Sequence, residues 1–536
     1  MICLAIILVL VRTLLVEGYM ISTGSMAPGL LGHHKRVVCP DCGFVFHQGV
    51  RDGTGYDAVA ESTDESPHSG ARFCSCPNCS LDAIRLTEVP RNPGDQILVN
   101  KSAFLFRRPR RWEMAVFRNP VRPTQAYVKR LVGLPGERIR IRNGDVYING
   151  MLTRKPFDVQ QDMRILVHDQ GFRPESDDER APGWQPIADV SGWRDVGEGF
   201  EFQSAASGNV ETDWLCYRHQ VHSGGRHITA VFLRTDGAVR DWTAFRKREA
   251  SRPFFSGQLD YDTGNRRLTC RGVLAEPLHR RLLSHANDRG FRKSIEKLAR
   301  ESRFAPVTDD YAWNSRRGVE VVNDLMVEAV IRGLSKGGVL ILRMSTAQDT
   351  WSVHHDPSHG LWTLTSESTN EVLRQAVHPT PPGSDIRLEM STFDRQILVA
   401  VDGELVFEPW QELGDVTGTD DLNASEPVDL PRIGARRGSF QIGSLRVYRD
   451  IHYTHRNGRH AVTSDFQPGP DGYFVLGDNS PVSVDSREWT TAVVGRKLLM
   501  GKPFLVHLPS RPGQLRLGDS TRYIRIPDVS RIRYIP

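Results

Sequence analysis

The first apolar stretch of the chain lies at its N-terminus, where residues 2–16 are hydrophobic apart from Arg12 and Thr13. As a helix this stretch would span about 22 Å, less than the roughly 30 Å of a membrane's hydrocarbon core. A cleaved signal peptide and a buried core helix are alternatives, but no positive n-region or small-residue cleavage site is evident. We expect a membrane anchor over residues 1–18, with Arg12 reaching the interface and the natural start of the chain left open.

Short apolar runs and strict alternation predict a compact β unit further along. Residues 96–99 and 114–117 are short apolar runs, and 138–142 alternates hydrophobic and polar positions up to the Asn143–Asp145 turn. Such a turn between two strand-like segments is typical of a β-hairpin. The same pattern returns only at 472–476, so we expect one β core with a long interruption.

The interruption, taken as residues 159–452, has its own strand pattern. Its second half, 325–448, carries one apolar or alternating run after another, with a turn signal at Asp402 and Gly403. Strands spaced this closely, with turns between them, predict an antiparallel β-sandwich. Within the interruption 277–302 alone has a clearly helical composition, and its many charges favour a surface position.

Composition and charge narrow the function classes slightly. The chain has 536 residues, of which 39% are hydrophobic and 25% charged, and its formal net charge is +5. Its length predicts about two to four domains. Because no long basic tract is present, we expect no nucleic-acid partner.

Five of the eight cysteines fall in one short region, residues 33–90. Clustering of this kind favours a metal site over a spread disulfide scaffold. Two Cys-x-x-Cys pairs can surround one tetrahedral Zn²⁺ and leave no position for substrate, so the ion would be structural. The expected ligands are Cys39, Cys42, Cys76 and Cys79. The alternatives are Cys74 as a substitute ligand, the less favoured His33, His34 and His47, and a pair of disulfides.

Ser25 and Lys129 are the candidate catalytic residues. A serine hydroxyl becomes a nucleophile only beside a base that takes its proton, and the chain contains no Gly-x-Ser-x-Gly motif. A lysine can act as this base when it is desolvated. Lys129 lies in the largely apolar segment 127–133, where alternate side chains can point into a dry pocket. The alternative is a lysine on the solvated face of an edge strand.

Five segments in the same order resemble the conserved boxes of the type I signal peptidases. The segment 21–30, Ile-Ser-Thr-Gly-Ser-Met-Ala-Pro-Gly-Leu, resembles the nucleophile box, and 127–137 resembles the lysine box almost throughout. Segments 94–101 and 114–117 match the strand boxes between them, and 477–489 matches the last box. The resemblance covers under half of the chain, namely about 1–32, 90–155 and 470–510.

This resemblance implies a serine endopeptidase that removes signal (leader) peptides from exported preproteins. Ser25 would be the acyl-forming nucleophile and Lys129 the general base, with no cofactor for catalysis. The Ser25 N–H and the Thr23 hydroxyl would form the oxyanion hole. Met26 would help to line shallow pockets for small substrate side chains. Supporting roles fall on the last box: Ser483 would orient the lysine, and Asp478, Asp485 and Arg487 would form a salt-linked shell.

The sequence departs from the family pattern in two places. Ser480-Pro481-Val482 follows Gly-Asp-Asn, where the family usually carries an arginine or a similar polar residue. The resemblance therefore does not imply the loop conformation there. Ser22 and Thr23 replace a more usual Pro-Ser, which is a milder change because threonine keeps a hydroxyl.

Together these observations predict a mainly β protein with a signal-peptidase-type core and two insertions. The expected segments are a membrane helix (1–18), the nucleophile segment (19–32), a four-cysteine zinc-ribbon-like insertion (33–90), the lysine-box part of the core (91–158), a β-sandwich insertion (159–452), and the last box with the C-terminal strands (453–536). The anchor would make this a single-pass protein of the cytoplasmic membrane. Its partners would be the lipid bilayer and preproteins, with the catalytic domain on the extracytoplasmic side.

Two other functions stay open from the sequence. A self-cleaving repressor or a conjugation-factor processing enzyme would use the same Ser–Lys fold, although no DNA-binding helix pair is evident. The second is an envelope adhesion or glycan-binding protein on a decayed peptidase scaffold. The hairpin 395–407 and the strand 440–448 weakly resemble concanavalin-like or laminin-G-like jelly rolls. Such sandwiches often bind glycans, but many are inert spacers, so the resemblance leaves both a glycan or protein ligand and a spacer role open. Trp351 and Trp362 are candidate sugar contacts, with a core role as the favoured alternative.

Overall fold

The computed structural model describes residues 15–50, 73–81, 84–174, 183–188, 190–204, 211–219, 228–249, 258–271, 274, 276–302, 306–311, 320–335, 337–379, 383–412, 428–454, 458–517 and 520–536. The expected anchor helix lies largely outside these residues, at 1–14. Its expected last residues, 16–18, are not helical, because they open the strand Val16–Met20. Among the described residues we find no helix that is both long and apolar enough to cross a membrane.

An antiparallel sheet, called here the central sheet, forms the middle of the core. In spatial order its strands are Val16–Met20, Gln96–Asn100, Leu499–Val506, Met114–Arg118, Ala126–Gly133, Gly472–Leu476 and Val494–Gly495, with Arg533–Tyr534 beside Leu499–Val506. The strands expected at 96–99, 114–117 and 472–476 are confirmed. Because Gly472–Leu476 pairs with Ala126–Gly133, the core is continuous in space although the sandwich interrupts it in sequence.

A small sheet and several short elements complete the core. The alternating segment forms the expected hairpin, Ile139–Arg142 with Asp145–Ile148, and Met151–Leu152 extends it. Its inward residues Ile139 and Ile141 are buried, as alternation requires. The other elements are the helices Ala103–Phe106 and Phe157–Met163, the hairpin of Ser510–Leu517 with Ser520–Pro527, and the 3-10 turns Ser480–Val482, Arg496–Leu498 and Val529–Arg531.

Two antiparallel sheets form the sandwich expected within 159–452. One contains Trp193–Asp195, Gly199–Gln203, Ser439–Arg449, Leu325–Arg332, Ile386–Ser391, Gln396–Val401 and Glu404–Leu405, with Ile165–Asp169 beside Ser439–Arg449, and Trp410–Gln411 and the 3-10 turn Phe393–Arg395 beside Gln396–Val401. The other contains Trp184–Pro186, Asp213–Tyr217, Arg432–Arg436, Val339–Ser345, Thr350–Asp356, Leu361–Ser366 and Val372–Val377. Apolar residues of both sheets fill one shared core between them.

Trp351 and Trp362 belong to that shared core. Both indoles are buried, and Trp362 stacks on His355 with ring centroids 4.0 Å apart. Alternate residues of a strand face opposite sides of a sheet, and these two tryptophans occupy inward positions. The core role is therefore confirmed for both tryptophans. A glycan or protein ligand of the sandwich stays a prediction, and neither tryptophan supports it.

A small α+β unit lies inside the sandwich insertion. Its strands are Ile228–Phe232, Arg267–Arg271 and Leu259–Asp262, and its helices are Asp236–Glu249, Glu276–Ser284 and Arg289–Glu301. The last two helices agree with the helical composition of 277–302. The segment is not simply a surface element, because Phe291, Ile295 and Leu298 are buried in the core of this unit.

The cysteine-rich insertion forms a small β-ribbon beside the core. His34–Val38 pairs with Val45–Gly49 and with Arg91–Asn92, and Phe73–Cys74 pairs with Ile84–Arg85. Each Cys-x-x-Cys pair lies between two strands of the ribbon. The ribbon also contacts the sandwich. Three hydrogen bonds of Asn78 contribute to that contact: Nδ2 donates to the Phe172 carbonyl at 2.8 Å and to the Asp169 carbonyl at 3.1 Å, and Oδ1 accepts from the Asp169 N–H at 2.7 Å.

A buried lysine joins the core to the sandwich. Lys155 follows the small sheet of the core, and its Nζ contacts Asp394 at 2.5 Å and Asp450 at 2.7 Å. Both carboxylates belong to the sandwich insertion. Removing one partner of a buried ion pair leaves an uncompensated charge, so such a contact resists separation. The core and its largest insertion are therefore held together by charge as well as by packing.

Candidate active site

The nucleophile segment forms a tight turn shortly after the strand Val16–Met20. The Ala27 N–H donates to the Gly24 carbonyl at 3.0 Å and closes the turn. Ser25 is half-buried, and its Oγ lies 3.4 Å from Oγ1 of the exposed Thr23. The two hydroxyls that the resemblance assigns to the reaction are therefore neighbours.

Met26 points away from these hydroxyls and into the core. It is fully buried in a cluster with Ile21, Leu30 and Met114. This packing anchors the turn that carries Ser25. With no exposed surface here, contact between Met26 and a substrate stays a prediction.

Lys129 is buried in the interior of the central sheet. Its strand, Ala126–Gly133, lies between Met114–Arg118 and Gly472–Leu476, and Lys129 itself pairs with Ala115. Its side chain is 3% exposed. The alternative of a solvated lysine on an edge strand is therefore wrong. Burial removes water from the amine, which is the condition under which a lysine can act as a base.

Ser483, Asp485 and Arg487 form one buried network. Ser483 Oγ donates to Asp485 Oδ2 at 2.8 Å, and Arg487 donates from Nε and Nη2 to the two carboxylate oxygens at 2.9 and 2.8 Å. Burial raises the pKa of Asp485, but the charges of Arg487 and Lys129 lower it, and the net shift is downward. Lys129 is therefore near enough to this carboxylate for its charge to act on it.

Arg130, the residue after the lysine, makes a second buried salt bridge. It donates from Nε and Nη2 to the two oxygens of Asp478 at 2.8 and 2.6 Å, and from Nη1 to the Trp112 carbonyl at 2.6 Å. Burial lowers the pKa of Arg130, but the Asp478 carboxylate raises it, and the net pKa lies above the usual value. A paired guanidinium of this kind is suited to joining the lysine strand to the last box.

The nucleophile turn, the lysine strand and the last box meet at Gly477. A Cβ atom at this glycine would lie 2.6 Å from the Ser25 carbonyl oxygen and closer still to Ser483 Oγ. Gly477 follows Leu476, which pairs with Arg130 directly beside Lys129. The missing side chain at position 477 therefore lets the Ser25 turn and Ser483 pack against the end of the strand next to the lysine strand.

The three residues that depart from the family pattern, Ser480-Pro481-Val482, form a short 3-10 turn. Ser480 Oγ accepts hydrogen bonds from Arg487 Nη1 at 2.8 Å and from the Thr454 N–H at 2.9 Å. The serine therefore takes part in the network at a position where the family usually has a longer polar residue. A lone serine carries no sequence signal for such a contact.

Asn479 has contacts that its place in the sequence did not reveal. Its backbone N–H donates to the Ser25 carbonyl at 3.0 Å, and its side-chain Nδ2 donates to the Gly24 carbonyl at 3.0 Å. The one available signal was its position directly after Asp478 in the last box. An asparagine alone does not specify its hydrogen-bond partners, so the sequence does not predict a role for this residue.

The expected zinc ligands come together in the ribbon. Cys39 and Cys79 have Sγ atoms 3.6 Å apart, Cys42 and Cys76 have Sγ atoms 3.7 Å apart, and all four sulfurs lie within 4.8 Å of one another. Zn–S bonds of about 2.3 Å in a tetrahedron put two sulfurs about 3.8 Å apart. A disulfide would need about 2.05 Å, and none of these four cysteines is joined to another by one. The donor set therefore fits a structural zinc.

The alternative ligands lie outside this group. Neither Cys74 nor a histidine belongs to the set of described residues whose donor atoms converge. His34 Nδ1 contacts the Gly32 carbonyl at 2.8 Å instead, and its ring packs edge-on against His47. A second group in the described residues, Asp145, Asp324 and Asp394, lies near Lys155, which supplies a countercharge, so we assign no metal there.

Residues 89–201 match the family described as signal peptidase, peptidase S26. The matched region contains the strand with Lys129, while Ser25 and the last box lie outside it. The resemblance to the type I signal peptidases is thereby confirmed for this part of the chain.

Curated relatives agree with this assignment. Signal peptidase I V of Bacillus subtilis is 34% identical over 64 residues, which are 12% of this chain and 37% of that protein. Signal peptidase I of Pseudomonas aeruginosa is 40% identical over 73 residues, which are 11% of this chain and 26% of that protein. The chain therefore spans well under half of the length of these relatives.

Solved structures resemble this chain only weakly. A carbohydrate binding module from Bacillus subtilis covers 50% of this chain and 92% of its own, at 10% identity and a TM-score of 0.19. The galectin LEC-6 of Caenorhabditis elegans covers 27% of this chain and 90% of its own, at 18% identity and a TM-score of 0.18. Likenesses with such low TM-scores carry no argument about fold or function here.

Proposed function

We propose that this protein is a serine endopeptidase that removes signal peptides from preproteins, with Ser25 as the nucleophile and Lys129 as the general base. The observation that carries the proposal is the meeting of the Ser25 turn and the Ser483 network at Gly477, beside the strand that buries Lys129. The family match of residues 89–201 supports the same class of reaction.

In the first step Ser25 Oγ attacks the carbonyl carbon of the scissile peptide bond, while the neutral amine of Lys129 takes the hydroxyl proton. The resulting oxyanion accepts hydrogen bonds from the Ser25 N–H and the Thr23 hydroxyl. The C–N bond then breaks, and the Lys129 ammonium returns the proton to the leaving amine. Water attacks the acyl ester, with Lys129 again as the base, and releases the signal peptide as a carboxylic acid.

The surroundings of Lys129 are compatible with this cycle. Burial favours the neutral amine before the attack. The negative charge of Asp485 would favour the ammonium form of Lys129 instead. Arg487 offsets that charge, because it donates hydrogen bonds to both oxygens of the carboxylate. Ser483 donates its proton to Asp485, so its oxygen lone pairs are available to accept a hydrogen bond from the lysine and orient it.

Cleavage of a preprotein by purified full-length protein tests the dyad. The variants Ser25→Ala and Lys129→Ala should each lose at least about a thousandfold in kcat/KM, because each removes a partner of the covalent step. The matched controls are Ser284→Ala and Lys497→Ala, which change exposed residues of the same types outside the Ser25 turn and the last box. If both dyad variants cut as fast as the controls, the assignment is wrong.

We also propose that the enzyme acts at the cytoplasmic membrane, with its catalytic core on the extracytoplasmic side. The apolar residues 2–16 support this placement. In cells the full chain should sediment with the membranes, and protease added to spheroplasts should digest it. Digestion only after lysis of the spheroplasts would put the core on the opposite side.

The four-cysteine group supports a structural zinc as part of the proposal. Its closed set of four thiolates would link the two turns of the ribbon and supply no catalytic chemistry. Metal analysis of the purified protein should give one zinc per chain, lost in Cys42→Ser and kept in the control Cys216→Ser. A protein with neither zinc nor titratable thiols in this group would indicate disulfides instead.

A further inference from the structure

Asn479 holds both peptide groups that flank the proposed nucleophile. Its side-chain Nδ2 donates to the Gly24 carbonyl, and its backbone N–H donates to the Ser25 carbonyl, each at 3.0 Å. The residue is 3% exposed, so neither hydrogen bond competes with bulk water. One residue of the last box therefore fixes the carbonyl on each side of the nucleophile.

The hydrogen bond to the Gly24 carbonyl has a consequence for the other end of the same peptide group. A peptide bond is planar and trans, so its C=O and N–H point in opposite directions. The N–H opposite the Gly24 carbonyl is that of Ser25, the proposed oxyanion donor. Fixing the Gly24 oxygen therefore fixes the direction of the Ser25 N–H. A donor at the oxygen also polarises the N–H and strengthens the bond that it gives.

The Gly24 carbonyl is satisfied from two sides. The Ala27 N–H donates to it within the turn, and Asn479 Nδ2 donates from the last box, so both lone pairs of the oxygen are used. Losing the local bond would leave the turn open, whereas losing the Asn479 bond would leave the turn closed but free to rock. Asn479 therefore contributes orientation more than folding.

Asn479 is itself held at a defined position relative to the lysine strand. The preceding Asp478 makes two hydrogen bonds to Arg130, the neighbour of Lys129. The Val482 N–H donates to the Asn479 carbonyl at 3.2 Å and closes the following 3-10 turn. Movement of the nucleophile turn relative to the lysine strand is therefore opposed through this one asparagine.

We propose that Asn479 is a positioning residue that directs the Ser25 N–H towards the oxyanion of the transition state and keeps Ser25 in register with Lys129. This inference rests on the proposed peptidase function. It assigns Asn479 no contact with the substrate. Its effect should consequently appear in the chemical step and leave substrate binding almost unchanged.

The test compares Asn479→Ala with the isosteric Asn479→Asp, which keeps the shape but loses the donor. We expect kcat to fall about 5- to 30-fold in Asn479→Ala, the range of one lost orienting hydrogen bond, and further in Asn479→Asp, because a carboxylate would face the Gly24 carbonyl. KM should stay within about twofold of wild type. A peptide aldehyde that forms a tetrahedral adduct with Ser25 should lose affinity by the same factor as kcat.

Asn119→Ala is the matched control. Asn119 is similarly buried, at 4% exposure, and its side chain also holds a turn, through hydrogen bonds from the Val121 and Arg122 N–H groups. That variant should keep the wild-type kcat and aldehyde affinity. If Asn479→Ala does not fold, Asn479→Asp provides the same comparison.

Two outcomes would overturn the inference: an unchanged kcat in both Asn479 variants, or a loss that appears in KM while kcat and aldehyde affinity persist. Failure of the proposed function looks different. In that case Ser25→Ala would cleave normally, whereas failure of this inference alone leaves Ser25→Ala inactive and the Asn479 variants fully active.

Discussion

Replacing Gly477 by alanine tests whether the nucleophile turn and the last box meet as described. Gly477 is not among the residues with a positive φ, so alanine fits its backbone without strain. Any effect must come from the added methyl group. That carbon would lie 2.6 Å from the Ser25 carbonyl oxygen and closer still to Ser483 Oγ.

The size of the effect follows from this distance. To reach an ordinary contact of 3.4 Å, the Ser25 carbonyl or its neighbours must move by roughly 0.8 Å. A misplacement of about 1 Å at a reacting group costs about a hundredfold in rate. Overpacking of a tight site costs about 1–3 kcal/mol of stability. We therefore expect kcat/KM to fall about a hundredfold and the free energy of unfolding to fall by about 1–3 kcal/mol.

Preprotein cleavage and urea denaturation measure the two quantities on the same samples. Gly495→Ala is the control, because a Cβ there meets no atom within 4 Å and Gly495 has no positive φ either. It should match wild type in both assays. If Gly477→Ala also cleaves and unfolds like wild type, the Ser25 turn does not pack against Gly477 and the described site is incorrect.

Three further changes probe the buried charges of the site. Asp478→Asn removes the two-point carboxylate partner of the buried Arg130 and leaves it Asp162 at 3.1 Å, so urea denaturation should show a loss of about 1–3 kcal/mol; an unchanged midpoint would contradict the pairing. Ser480→Ala removes an acceptor of Arg487 and should cost about 1–3 kcal/mol in the same assay, unless that hydrogen bond is absent. Asp485 has a pKa depressed below its unfolded value of about 3.9, so its ionised form stabilises the fold above that pH, and the contribution is lost as the pH falls through the folded pKa. Acid unfolding followed by circular dichroism should therefore be steeper below about pH 4 in wild type than in Asp485→Asn, and equal slopes would refute the shift.

Local pattern was sufficient for several parts of the fold. The alternation in 138–142 placed Ile139 and Ile141 on the buried side of a hairpin, because the side-chain period of a strand is two residues. The Cys-x-x-Cys spacing likewise predicted turns that bring thiols together. These features depend on neighbours in the sequence, so the sequence contains the information needed to find them.

The helix Asp236–Glu249 shows where local pattern failed. Its buried positions Ala238, Trp242 and Phe245 have helical spacing, but charged and polar residues surround them. Its burial depends on the sheet of Ile228–Phe232 and its neighbours, which no short window contains. The tertiary context made this segment a helix that covers a core.

Ser25 and Lys129 became candidates from the sequence alone, through the residue types and the order of the surrounding boxes. What the tertiary structure decided is that the Ser25 turn and the strand of Lys129 both lie against the last box. Periodicity shows which side of a strand a residue faces, but not which distant strand lies beside it. The pairing of Gly472–Leu476 with Ala126–Gly133 buried Lys129 and brought Gly477 and Asn479 to the Ser25 turn. These contacts join parts of the chain that the whole sandwich insertion separates in sequence. They form only when the strands before and after the insertion pair in the folded core.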